Sequence, residues 1–203
     1  LLVQTREPGL RIARGRFHVA GARRGQAAVG RLHRAAEQPR HRVHEALSEP
    51  YEIEVVFVVP DAAHFDMADM IGAKATVRGA GADGEPDAFV RHGVVASVKL
   101  LVTVGESGLF AATVTPRFAQ LALTHRSRLF TKLALPDVIR EVFSAAGLVE
   151  SDFELALDER YETEEHVCQY QESDLELVQR WLEREGLYYF FRHEEDQEKL
   201  VVV

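Results

Sequence analysis

Residues 169–191 read Gln169-Tyr170-Gln171-Glu172-Ser173-Asp174-Leu175-Glu176-Leu177-Val178-Gln179-Arg180-Trp181-Leu182-Glu183-Arg184-Glu185-Gly186-Leu187-Tyr188-Tyr189-Phe190-Phe191. Ser173 with Glu176 three residues later is a capping box, the signature of a helix start. Leu175, Val178, Trp181 and Leu182 then line one face, and Gly186 ends the helix. The five residues after Gly186 are aromatic or branched and read as a strand. The chain must turn back at Gly186 so that Trp181 packs near the aromatics that follow it.

Working outward, a second helix is written before this one. Pro136 suits a first helical position, Val138, Ile139, Val142 and Phe143 form an apolar stripe, and Gly147 sits where a left-handed cap belongs. Further upstream the texture is that of strands. Tyr51 to Val59 begins with alternation and is closed by Pro60-Asp61, and Met70 to Val77 leads into another strand. Gly79 to Gly84 reads as a turn, Phe89 to Val104 as one long or two broken strands with Gly93 a candidate bulge, and Leu109 to Pro116 as the next strand after a turn at Gly105–Gly108. Short strands with Gly-rich turns point to an antiparallel barrel or sandwich. The fold class is therefore β-rich α+β, with two short helices late in the chain.

Charge divides the 203 residues unevenly. The formal net charge is −8, yet residues 1–44 hold ten Arg, no Lys and two acids, leaving fourteen basic and thirty acidic residues in 45–203. The first segment, residues 1–43, reads as a basic Arg-rich leader. An arm that binds nucleic acid by counterion release is one reading; a mobile leader is favoured over it, because no aromatic is interleaved for base stacking. One cysteine, Cys168, excludes an intrachain disulfide and a thiolate zinc site. No apolar run approaches the ~20 residues that span a bilayer, and no secretory signal is visible in the first fifteen residues.

The residues offer little chemistry. Nine histidines are scattered, and the closest approach to ligand spacing is His41 and His44, in surroundings rich in Arg that oppose a cation. The acids between Glu150 and Glu165 read as a solvated face; Glu162 and Glu165 are the pair on which a carboxylate hydrolase would have to rest. Ser107 lies in Gly-Glu-Ser-Gly, not in a nucleophile elbow, and Cys168 reads as a small buried residue of a strand. No catalytic, cofactor-binding or metal-ligating residue is assigned.

The motif from Gln169 to Asp174, with Leu182-Glu183-Arg184-Glu185-Gly186 and the aromatic strand after it, resembles the VgrG family, the spike proteins of bacterial type VI secretion systems. The resemblance extends to Ser127-Arg128-Leu129-Phe130, to Pro136–Val142 and to Glu45-Ala46-Leu47-Ser48-Glu49-Pro50-Tyr51, covering about residues 44–203. Ala134 stands where the family usually has a Ser before the first helix, and residues 1–40 do not look like the family's N-terminal strand pair.

The resemblance implies a fragment of a larger spike protein: two small antiparallel β-barrel-like hub domains, over 44–117 and 118–203, the second with the two helices and incomplete at its C-terminus. It implies a structural, non-enzymatic component without cofactors, a homotrimer that joins the Hcp tube hexamer to a needle. Its further partners would be spike-tip and effector proteins, baseplate components and the target-cell envelope. Such a protein assembles in the bacterial cytoplasm and is exported without a signal peptide. The aromatic strand Tyr188 to Phe191 is expected to pack mainly against the 173–185 helix. The phage tail baseplate hub protein is the alternative within this class, and a basic-armed nucleic-acid-binding module the alternative outside it.

Overall fold

A computed structural model describes residues 11–20, 40–79, 89–158, 160–194 and 196–203, with residues 11–20 and 40 described by their backbone. The chain divides into two compact units, one of residues 1–45 and 51–115, the other of residues 46–50 and 116–203.

The first unit is a closed barrel of six strands: β1 (Arg11–Ala20), β2 (Arg40–His44), β3 (Glu52–Val59), β4 (Lys74–Gly79), β5 (Phe89–Val104) and β6 (Ser107–Thr115), in the order β1-β2-β3-β6-β5-β4. Every pairing in it is antiparallel. The expected alternation in β3 is realised, with Ile53, Val55 and Phe57 buried. Phe57 stacks on Phe110 of β6 at 5.8 Å, and Phe65 meets Phe110 edge-on at 4.7 Å. Residues 89–104 form one strand.

Three expectations are corrected in this unit. The segment 1–43 was read as a leader outside the barrel, but β1 pairs with β2 through Arg11–Arg14 and with β4 through Gly15–Ala20, so it closes the sheet. Its Arg-rich sequence lacks a clean period of two, and backbone pairing on both sides overrides that weak local signal. Gly93 is not a bulge: the register of β5 against β6 shifts between Val95 and Ser97 and again between Leu100 and Val102. Gly93 is instead a close approach, where a Cβ would lie 2.5 Å from the Thr115 carbonyl oxygen and 2.7 Å from the Tyr51 hydroxyl. That hydroxyl donates to the His92 carbonyl. The turn expected at 79–84 lies outside the described residues beyond Gly79.

The second unit contains α1 (Leu135–Ala145), α2 (Asp174–Arg184), a two-stranded antiparallel ribbon of β7 (His125–Ala134) with β9 (Thr163–Ser173), and a three-stranded sheet β10-β11-β8 of Tyr189–His193, Glu198–Val202 and Phe153–Leu155. Its described strands form open sheets, and β11 pairs with β8 in parallel. A 3₁₀ segment, Arg117–Leu123, supplies Phe118 and Leu121 to the core. Val138, Ile139, Val142 and Phe143 are buried as their spacing predicts, and Gly147 ends α1's cap region at φ +79°. Ala134 caps α1 with no side-chain hydrogen bond.

On α2 the buried face is Leu177, Val178, Trp181 and Leu182; Leu175, expected there, is only partly buried. Gly186 breaks the helix at φ +73°. The strand after it does not rest mainly on α2. Tyr189 and Phe191 meet Phe118, at 5.1 and 6.2 Å between ring centroids, because the 3₁₀ segment supplies the aromatic partner.

Candidate functional site: the junction of β9 and α2

The motif that opens the sequence reading lies where β9 passes into α2, and its polar groups are spent on one another. Ser173 Oγ accepts from the Glu176 amide at 3.1 Å, and the Glu176 carboxylate accepts from the Ser173 amide at 2.7 Å. That amide holds the Glu176 carboxyl below its usual range. Asp174 follows in the first turn, where a carboxylate is favoured by the helix dipole, and its side chain is fully buried.

Asp174 Oδ1 accepts from Arg128 Nη2 and from Gln169 Nε2, both at 2.9 Å, while Arg126 Nε lies 3.4 Å from Oδ2. Gln169 completes the cluster by accepting from Arg128 Nε at 2.6 Å and donating to the Glu172 carbonyl at 3.1 Å. The paired strands supply the geometry, since Arg128 lies directly opposite Gln169 and Arg126 opposite Glu172. On the outer side, Arg180 forks onto Glu172 at 2.6 and 3.2 Å and reaches the Cys168 carbonyl at 3.0 Å. Its hydrogen bonds to Glu172 push its already high pKa further up.

A second junction joins Ser48 to Tyr189. The Ser48 amide donates to the Tyr189 carbonyl at 2.9 Å, and the Tyr189 amide donates to Ser48 Oγ at 3.3 Å. Ser48 adopts φ +58°, an uncommon conformation for a residue with a side chain. Gln179 of α2 donates to the Tyr189 hydroxyl at 2.8 Å, and burial pushes that phenol up to about 12. Both motifs of the resemblance, around Ser48 and around Ser173, thus serve to hold backbone.

The residues weighed for chemistry do not converge. Glu162 and Glu165 are both exposed, and Glu164 between them pairs with Arg184 at 3.1 Å. Ser107 donates to the Pro60 carbonyl at 3.3 Å. Cys168 is exposed, correcting its reading as a buried residue: it shares the outward-facing register of β9 with His166 and Tyr170, while Val167 and Gln169 face inward. His41 is buried and stacked on Phe89 at 5.5 Å, whereas His44 is exposed, because an odd spacing on a strand sends two side chains to opposite faces. Among the described residues no three His, Cys, Asp or Glu side chains are grouped as a metal would need, and no helix is long and apolar enough to cross a membrane.

Comparison with known proteins identifies the junction's setting. The family model described as the phage tail baseplate hub matches residues 44–203. The chain belongs to this hub family. Among curated hub-related proteins it is similar to two type VI secretion system spike proteins of Pseudomonas aeruginosa. It is 34% identical to VgrG1b over 160 residues, 78% of this chain, and 37% identical to VgrG1c over 111 residues, 55% of this chain. The chain spans only 21% and 15% of those relatives' lengths. Among solved structures, a component of the Escherichia coli type VI secretion system described as similar to T4 bacteriophage tail proteins superposes with a TM-score of 0.73. That likeness, at 19% identity, covers 92% of this chain and 48% of the other, and it shows the hub fold. A Francisella complex of PdpA with VgrG gives 0.57 over 80% of this chain and 24% of the other, at 11% identity. The VgrG resemblance read from the motifs is therefore borne out, as is the β-rich hub fold.

Proposed function

We propose that this hub chain is a non-enzymatic part of a type VI secretion spike, acting as a homotrimer that joins the Hcp tube hexamer to the needle. The observation that carries this reading is the family match over 44–203, together with junctions whose polar groups are consumed in holding strands and helices in place. Such a part needs binding surfaces and rigidity; it transmits force and needs no reacting group. Spike-tip proteins, effectors and baseplate components are its further partners, and export in the assembled apparatus is its route out of the bacterial cytoplasm.

Light scattering of the purified chain tests the assembly, with three copies per particle the expected mass. Co-purification with hexameric Hcp tests the seat. A particle that trimerises but ignores Hcp while binding a phage tail tube protein would favour the phage baseplate hub, the reading suggested by the name of the matching family. An untouched monomer at millimolar concentration would overturn both.

A further inference from the structure

The barrel leaves part of one strand uncovered. β4 pairs with β5 only as far as Lys74 opposite Val94, and the turn before β4 extends this by the Gly72 amide to the Val95 carbonyl and the Val95 amide to the Ala73 carbonyl. From residue 96 to 104, β5 pairs with β6 on one side, and among the described residues no strand lies on the other. This edge is also apolar. Leu100, Leu101, Val102 and Val104 are 46%, 46%, 48% and 73% exposed. Its one charge, Lys99, is turned across β6 to Glu54 at 3.5 Å, so it does not guard the edge. A long apolar edge with unused backbone groups is a template for another strand.

The second unit has a counterpart. β7 pairs only with β9, and its far edge meets no described strand. The outer edge of β9 is partly occupied, because Arg180 caps the Cys168 carbonyl. β7 is basic, carrying His125, Arg126, Arg128 and Lys132. Two β7 strands side by side would oppose like charges, whereas β5 from Leu100 to Val104 brings none. Pairing β5 with β5 would leave every β7 edge bare. Pairing β5 with β7 consumes both edges of every copy, and a head-to-tail contact of that kind closes into a ring.

We propose that the open edge of β5 in one copy of this chain adds to the open edge of β7 in the next. This deepens the trimeric reading above and rests on it. The contact is a backbone ladder, with Leu100, Leu101, Val102 and Val104 withdrawn from water along it.

The test uses the full chain with Cys168→Ser, which removes the single native thiol. Two populations carry one new cysteine each, Leu101→Cys or Val102→Cys on β5 and Leu129→Cys or Thr131→Cys on β7. They are treated with a short bismaleimide, alone and mixed, after circular dichroism shows each folded. Cross-linked dimers at least tenfold more abundant in the β5 with β7 mixture than in either population alone are the expected result. Equal cross-linking within a single population would overturn the proposal in favour of a two-fold contact. Absence of cross-links in a sample that light scattering shows to be trimeric would overturn it while leaving the hub reading intact; a monomeric sample would sink both. As a second variant, Val102→Lys sets a cation against β7 and is expected to raise the concentration for half-assembly at least tenfold with unchanged circular dichroism. No change in that concentration would count against the contact.

Discussion

At the scale of single residues, the molecule depends on a few buried polar groups with no slack. Asp174 is the sharpest case. Replacing it by Ala leaves Arg128 and Gln169 without their shared acceptor. Both arginines keep some access to water, which softens the loss, and Asp174→Ala is expected to cost about 2–3 kcal/mol in urea unfolding. His41 supplies a pH dependence. Burial lowers its pKa below 6.5, so the folded barrel holds it neutral while the unfolded chain takes up a proton below that value. Its contribution is present in full above pH 6.5 and is lost as pH falls toward the depressed folded pKa. The urea midpoint is expected to drop between pH 7 and pH 5.5, and His41→Phe, which keeps a ring beside Phe89, is expected to flatten that drop. Gly93→Ala drives a methyl group into a carbonyl that cannot move without breaking the sheet. A loss of about 3 kcal/mol or a wholly insoluble product is expected, scored by the soluble fraction on expression.

At the scale of elements, what the sequence revealed depended on whether the signal was local. The α2 start was legible because Ser173 and Glu176 are three residues apart, and the α1 face because its stripe repeats within eleven residues. Strand β3 announced itself by alternation. By contrast, β1 was hidden, since its place is defined by pairing with β2 and β4 and not by its own pattern. The role of Ser48 was likewise invisible, because its partner Tyr189 is 141 positions away. The network around Asp174 lay between these extremes: its members were quoted as a motif, but Arg126 and Arg128 come from another strand. Helix α1 offers a test of this local logic. It begins at Ala134 with an extended backbone and no side-chain cap, so Ala134→Ser is expected to stabilise the second unit by about 0.5–1 kcal/mol, read as a raised melting temperature.

At the scale of the whole molecule, the charge split between the first 44 residues and the rest takes on a different sense. The Arg-rich beginning is not simply appended, since it contributes two of the six barrel strands. Deleting residues 1–39 removes β1 and leaves β2 and β4 each with an open edge. The expected outcome is loss of the barrel's cooperative unfolding transition; a dispensable nucleic-acid arm would instead come away with that transition unchanged. The five residues 46–50 have a consequence in time. They belong to the second unit although the chain on both sides of them belongs to the first. During synthesis Ser48 leaves the ribosome long before Tyr189 exists. At ~5–20 residues per second the wait is roughly 10–30 s. For that interval the Ser48 amide and hydroxyl have no Tyr189 to hold, so the second unit can seal only near the end of translation, whereas the six strands of the barrel have all been made by Thr115.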